Sequence, residues 1–263
     1  MTEVERSEKD TVHAPHPPLT GYYSEEADRQ RWVGRIFDET ARDYDRIEHI
    51  AAFGSGPWYR RQALLRAGLT PGMRLLDVGV GTGLVACEAA RILGDPTKVT
   101  GLDPSSGMLK NARVPAGVEL VEGSAERVPF PDASFDFISM GYALRHIGDL
   151  SAAFGEFLRV LKPGGRLCIL EVTRPEGRFR MALLKGYLRT VVPALAKLTA
   201  RDGQTPTLWH YYWDTIEACA SPEQVMHTLG RAGFCNVLRN LELGIFSEYR
   251  ADKPAPGQPN RAQ

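Results

Sequence analysis

The stretch Leu75-Leu76-Asp77-Val78-Gly79-Val80-Gly81-Thr82-Gly83 sets the fold of this chain. An apolar run ends in an acid, breaks into alternating glycines, and enters a helix-like segment from Leu84 to Leu93. Strand, glycine turn and helix in that order build a nucleotide-type ligand site. Glycine has no Cβ, so a ligand can lie against the backbone there. A second apolar run, Val99-Thr100-Gly101-Leu102, ends in Asp103. An acid about 20 residues past such glycines can hold a ribose diol.

The loop excludes two common nucleotides. The dinucleotide fingerprint wants a third glycine where this chain has Leu84. A phosphate-binding loop needs Gly-Lys-Ser/Thr, and Gly83 is followed by Leu84 and Val85. No basic residue stands in the loop to meet a phosphate, and Asp77 precedes it. That arrangement suits a ligand carrying a cationic amino group, a ribose and an adenine. S-adenosylmethionine is such a ligand.

Composition narrows the class. With 263 residues, 43% hydrophobic and 24% charged, the chain has room for one α/β domain with additions. Its 32 basic and 32 acidic side chains cancel, so no global field favours nucleic acid. Cys87, Cys168, Cys219 and Cys235 stand far apart and match no metal spacing. No metal site is expected, and a reducing compartment, the cytoplasm, is the simple inference. The N-terminus lacks the apolar core of a secretory signal. No stretch approaches the ~18 apolar residues of a membrane span.

From Met73 onward, strand-like and helix-like patterns alternate, with strands expected at 73–78, 98–103, 118–122, 135–140 and 165–172. Such alternation builds a mostly parallel sheet with helices on both faces. Two further strands are expected within 236–250, around Gly244, after a helix at 222–233. We expect a flexible tail over 1–20, a helical cap over 21–70, and a core over 71–252. A helical lid interrupts the core at about 176–218, and a second tail covers 253–263.

Five segments carry a family resemblance: Leu75 to Gly83, Gly101 to Leu109, Arg159 to Leu167, Ala125 to Asp136, and Phe37 to Asp45. Together they resemble the ubiquinone/menaquinone-biosynthesis C-methyltransferases, within the class I S-adenosylmethionine-dependent methyltransferases. The resemblance runs from about Tyr22 to about Ala251. It implies a Rossmann-like seven-stranded sheet. It also implies S-adenosylmethionine as methyl donor, S-adenosylhomocysteine as product, and an aromatic small molecule as acceptor.

For the cofactor, Gly79, Gly81 and Gly83 are expected under the methionine part, with Thr82 offering a hydroxyl and a backbone donor. Asp77 is expected to order the loop and the ammonium through water. Asp103 is expected to accept both ribose hydroxyls. Met108 lies against adenine or packs in the core; both readings stand. Ser124-Ala125 occupies the place where adenine's amino group is read, although the family has Asp or Asn before that alanine. Gly141 stands where the quinone enzymes often have serine, so only its backbone can contribute.

For the acceptor, the stretch after strand four is Gly141-Tyr142-Ala143-Leu144-Arg145-His146. The resemblance puts Arg145 in the active site, able to stabilise a phenolate. His146 replaces the family's asparagine. It is either the base, with a pKa range suited to the task, or the group that orients a water acting as base, or a capping or core histidine. Tyr44, paired with Asp45, is expected to close over the sulfonium. The cluster Trp209-His210-Tyr211-Tyr212-Trp213 offers an aromatic wall in which Trp209, Tyr212 and Trp213 can share a helix face; Tyr142 extends it.

The sequence thus reads as a methyltransferase acting on carbon of a hydroxylated aromatic or quinone-type ring. Two rivals remain: an O- or N-methyltransferase of secondary metabolism, and a non-catalytic cofactor-binding assembly partner. Peripheral membrane contact and a homodimer are left open.

Overall fold

The computed structural model describes residues 14–199, 204–255 and 257. Its seven strands are β1 (Leu75–Val78), β2 (Val99–Asp103), β3 (Glu119–Glu122), β4 (Phe135–Gly141), β5 (Leu161–Val172), β6 (Cys235–Glu242) and β7 (Phe246–Asp252). They form one sheet in the order β3-β2-β1-β4-β5-β7-β6. Strands β1 to β5 pair in parallel, and β7 lies antiparallel between β5 and β6. The chain reverses on either side of β1, so the carboxyl ends of β1, β2 and β4 open a crevice there, the usual ligand position in such sheets. The mostly parallel sheet expected from the sequence is present. One edge differs: β5 begins at Leu161, not 165, because Leu161 pairs with Phe135 before a register irregularity.

Every residue of β1 and β2 is buried, as a strand covered on both faces requires. Helices α1 (Glu26–Ala51), α2 (Gly56–Arg66) and α3 (Leu84–Leu93) come first, then α4 (Ser106–Asn111) and α5 (Leu150–Val160). The chain continues through α6 (Arg178–Gly186), a π-helical turn (Tyr187–Val191), α7 (Val192–Thr199), α8 (Thr205–Ala218) and α9 (Pro222–Ala232). One face of the sheet is packed by Phe154, Phe157 and Leu229 of α5 and α9. The other is packed by Ala63 and Leu64 of α2 with Ala86 and Ala89 of α3. A third core joins cap and lid: Ile36 and Ile47 of α1 meet Leu188, Val192, Leu208, Trp209 and Trp213.

The expected N-terminal tail differs over its last residues. Pro15 and His16 are buried. The Pro15 carbonyl accepts the Ala220 amide at 2.6 Å, and His16 Nε2 lies 3.0 Å from Arg29 Nη2. Residues 1–13 lie outside the described residues. At the other end, Lys253 is tied down by its Nζ donating to the Leu161 carbonyl at 2.7 Å. Of the expected C-terminal tail, 256 and 258–263 lie outside the described residues.

Candidate active site

The glycine loop takes a form that only glycine holds at low cost. Gly79, Gly81 and Gly83 have φ of 67°, 55° and 95°, in the left-handed region. A Cβ on Gly79 would stand 2.6 Å from the Ala143 Cβ, and one on Gly83 2.3 Å from Val114 Cγ1. A Cβ on Gly81 would meet no protein atom within 4 Å, so that position faces open space. The loop is latched to β2 by Gly81 N–H donating to Asp103 Oδ2 at 2.8 Å. The Ser105 amide donates to the other oxygen of Asp103, also at 2.8 Å. Each oxygen keeps a second lone pair for a further donor. Burial pushes Asp103 up to about 6, against the pull of those two amides.

Above this edge opens a cleft of about 1280 Å³, part of it continuous with solvent. Gly79, Gly81, Thr82, Asp103, Met108, Ser124, Ala125 and Gly141 all line it, as do Tyr44, Tyr142, His146 and Tyr212. The sequence-selected residues therefore converge on one space, although they span 168 positions from Tyr44 to Tyr212. Gly141 is held by packing as well: a Cβ there would stand 2.5 Å from Val85 Cγ2.

Asp77 is not in the wall. It lies buried beneath the loop and accepts the Ser139 hydroxyl at 2.7 Å. Burial raises it to about 7. Gly83 starts α3 behind the loop and does not line the cleft.

The far wall is aromatic. Tyr44 and Tyr212 share a hydroxyl contact of 2.5 Å, and Trp209 stacks on Tyr44 at 6.3 Å, 13° from parallel. His146 sits in a cage of rings. Phe37 meets it edge-on at 5.1 Å, and Tyr211 stacks at 5.5 Å. Its Nδ1 lies 3.4 Å from the Tyr211 hydroxyl, and its Nε2 has no hydrogen-bond partner. Burial first, then Arg145, Arg29 and His16, hold its pKa well below the usual imidazole range. The ring is therefore neutral at pH 7. Tyr142 has φ of 60°, a strained value for an aromatic residue. Its amide is fixed to the Leu170 carbonyl at 2.7 Å, and the Arg60 guanidinium lies over its ring at 5.5 Å.

Three residues expected on the acceptor side do not line the cleft. Arg145 is fully buried and does not reach the cleft. It pairs with Glu171 and lies 4.0 Å over the Tyr212 ring. A buried cation settles against a buried carboxylate and a ring face because no water is there to solvate it. Arg145 thus props the wall from behind instead of facing a phenolate. Trp213 also fails to reach the cleft. It is wholly buried in the lid core, where its indole N–H donates to Glu217 at 3.0 Å. Trp209 touches the cleft only through Tyr44 and Tyr212.

The cap contributes one residue, Asp38, that motif reading did not single out. Asp38 accepts the Ser105 hydroxyl at 2.6 Å and the Gly107 amide at 2.8 Å. It bridges α1 to the turn after β2. Only the fold reveals it: a Cβ on Gly107 would stand 2.6 Å from the Asp38 Cα, so the close approach needs glycine. Asp45 accepts the Thr82 hydroxyl and ties the cap to the glycine loop. Among the described residues no group of acids, histidines and cysteines could hold a metal.

The residues present fit S-adenosylmethionine. The cradle faces open space where a Cβ at Gly81 would intrude, Asp103 keeps acceptor capacity, and no cation competes in the loop. Comparisons with known proteins agree. The model of the ubiE/COQ5 methyltransferase family matches residues 24–253. The UbiE ubiquinone/menaquinone biosynthesis C-methyltransferase of Shewanella halifaxensis is 31% identical, over 93% of this chain and 99% of that one. That of a Pseudomonas putida strain is 30% identical, over 92% and 97%. Among solved structures, an S-adenosylmethionine-dependent methyltransferase from Thermotoga maritima superposes with a TM-score of 0.58 at 25% identity, over 83% and 98% of the two chains. The [4+2]-cyclase SpnF does so with 0.57 at 18%, over 86% and 97%. The last pair shows the fold alone and warns that this fold serves more than one reaction. The chain belongs to the ubiE/COQ5 methyltransferase family and is an S-adenosylmethionine-dependent methyltransferase.

Proposed function

We propose that the acceptor is a hydroxylated aromatic or quinone-type ring and that the methyl group is delivered to a ring carbon. The observation that carries this reading is the far wall of the cleft. Four rings, Phe37, Tyr44, Tyr142 and Tyr212, line the cleft together with a neutral histidine whose Nε2 has no partner. A flat apolar molecule fits such a wall, and a ring hydroxyl fits the unpartnered imidazole nitrogen. The relatives named above are called C-methyltransferases of ubiquinone and menaquinone biosynthesis.

When bound, S-adenosylmethionine supplies a methyl group already activated on sulfur. The glycine loop and Asp103 are positioned to hold it at the carboxyl ends of β1 and β2. What the protein adds is alignment, which can supply ~7–11 kcal/mol of a barrier. His146 Nε2 accepts the ring hydroxyl proton, which raises electron density on the neighbouring carbon; once methylated, that carbon sheds its own hydrogen as a proton and the ring regains aromaticity. A positioned base contributes roughly 10²–10⁴ in rate. Arg145 acts through Tyr212 and Glu171, fixing the wall that orients the ring. Tyr44 closes the cleft from the cap. The four cysteines are free, which fits a reducing compartment, and we place the enzyme in the cytoplasm.

The test is transfer of a carbon-13 methyl group from labelled S-adenosylmethionine to a reduced demethyl-quinol. We expect a product whose labelled methyl carries the carbon resonance of a methyl on an aromatic carbon. We also expect no turnover of the analogue with both hydroxyls blocked. A methoxy resonance in the product would overturn the assignment to carbon.

A further inference from the structure

The lid presents an unusual outer surface. From Arg178 to Leu198 the sequence holds five basic residues, Arg178, Arg180, Lys185, Arg189 and Lys197, and no acid. The chain as a whole is neutral, so this charge is local. Lys185 and Arg189 pair with Glu217 and Asp214 of α8. Among the described residues, Arg178, Arg180 and Lys197 pair with no acid. No residue of α6 is buried. Its large apolar side chains Phe179 and Leu183, four apart, share one face, and they are 76% and 58% exposed. Tyr187 and Val191 continue that spacing.

Two other elements bring apolar tips to this helix. Phe53, in the turn between α1 and α2, stacks on Tyr187 at 6.4 Å, and Tyr187 donates to the Ala51 carbonyl at 2.8 Å. In the β6–β7 turn, Gly244 lies beside Arg180: its Cβ position would be 3.4 Å from Nη1. Leu243 precedes it. Phe53 and Leu243 are 86% and 85% exposed. Both also hold a left-handed backbone, with φ of 50° and 53°, which costs a non-glycine residue of order 1–3 kcal/mol. Two turns thus spend backbone strain while holding a large hydrophobe out in water.

We propose that this surface docks on an anionic lipid bilayer. Apolar tips at an interface, flanked by Arg178 and Arg180 that pair with no acid among the described residues, match the chemistry of an anionic membrane surface. No helix among the described residues is long and apolar enough to span a bilayer, so the contact is peripheral. Its position gives it a use. The docking segment packs through Leu188 and Val192 on the same core as Trp209 and Tyr212. The docking surface and the aromatic wall of the cleft are thus two sides of one packed cluster. The inference stands on surface residues alone and is tested without any acceptor, so its fate is separate from that of the proposed reaction.

The experiment is flotation of the full chain with vesicles of phosphatidylcholine alone, or mixed with one third phosphatidylglycerol, at low and at physiological salt. We expect binding to the mixed vesicles, weaker at higher salt and absent from neutral ones. Arg178→Glu with Arg180→Glu should lower partitioning at least about tenfold, since each basic residue at such a surface is worth about a factor of five. Phe53→Ser with Leu243→Ser should lower it comparably, with melting temperature and cofactor affinity unchanged. Light scattering on the same samples covers the rival occupant, a second copy of the chain. Wild-type protein that ignores anionic vesicles would overturn the proposal. So would a dimer that Phe53→Ser with Leu243→Ser dissolves.

Discussion

The two sides of the cleft are built by different means. On the cofactor side the working surface is mostly backbone: Gly79 and Gly81 with positive φ, two amides aimed at Asp103, and Gly141 wedged against Val85. On the acceptor side it is side chains: His146 in a cage of rings, Tyr44 against Tyr212, and a buried Arg145–Glu171 pair behind them. Backbone surfaces are fixed by chain path and change little when side chains change. Side-chain surfaces can be remade one residue at a time. The same scaffold can therefore keep one methyl donor while its acceptors diverge, and changes on one side should leave the other untouched.

The largest effect is expected at Arg145. Replacing it by methionine leaves the Glu171 carboxyl buried without its cation, which costs about 3–5 kcal/mol of stability. Chemical denaturation should show that loss, and adding Glu171→Leu should recover most of it. In the double variant, acceptor turnover should stay low while cofactor affinity returns to the wild-type value. Recovered turnover would mean that the pair does not position Tyr212.

His146 comes next. His146→Asn should lower kcat/KM for the acceptor about a hundredfold, the lower end of the range for a positioned base. The wild-type acid limb should fall well below pH 6.5, because burial holds the imidazole neutral down to lower pH. That limb should vanish in the variant. An unchanged pH profile in His146→Asn would transfer the proton to another acceptor.

Asp103→Ala should be smaller and fall on the other side. Losing a charge-assisted hydrogen bond costs ~1.5–3 kcal/mol, so calorimetry should find cofactor affinity down by roughly ten- to a hundredfold. The KM for the acceptor should not move.

The smallest effect concerns Asp77. Its folded pKa of about 7 lies above its unfolded value of 3.8. Between those values the folded protein holds a proton that the unfolded chain has released, so stability falls as pH rises toward 7 and then levels off. Asp77→Asn removes that cost. Its melting temperature relative to wild type should climb from pH 5 to pH 7 and stay level to pH 8. A flat difference over this range would mean Asp77 stays ionised in the folded protein.

The contrast between the two sides also explains what the sequence made legible. The cofactor side is written locally. Glycines, the acid before them and the acid after β2 lie within 27 residues of one another, and backbone conformation follows residue type directly. The alternating sheet was legible for the same reason, apart from the early start of β5, which depends on pairing with Phe135. The acceptor side is written non-locally. Trp209, Tyr212 and Trp213 share a helical pattern, yet only packing decides that Tyr212 faces the cleft and Trp213 the lid core. Arg145 reads as an active-site cation until Glu171, 26 residues on, is seen to neutralise it. Asp38 was inside a quoted motif but acquires meaning only when Gly107 comes against it.

The division of labour is tested most directly at Gly81, where an added Cβ enters the cofactor side and meets no protein atom within 4 Å. Gly81→Val should be compared with Gly72→Val. Gly72 also has positive φ, 92°, and open space around it, but lies outside the cleft. Both variants bear the same kind of backbone strain, so their melting temperatures should fall by similar amounts. Calorimetric titration with S-adenosylhomocysteine should then give wild-type affinity for Gly72→Val and no detectable binding for Gly81→Val. Equal affinity in the two variants would contradict the placement of the cofactor against the glycine loop.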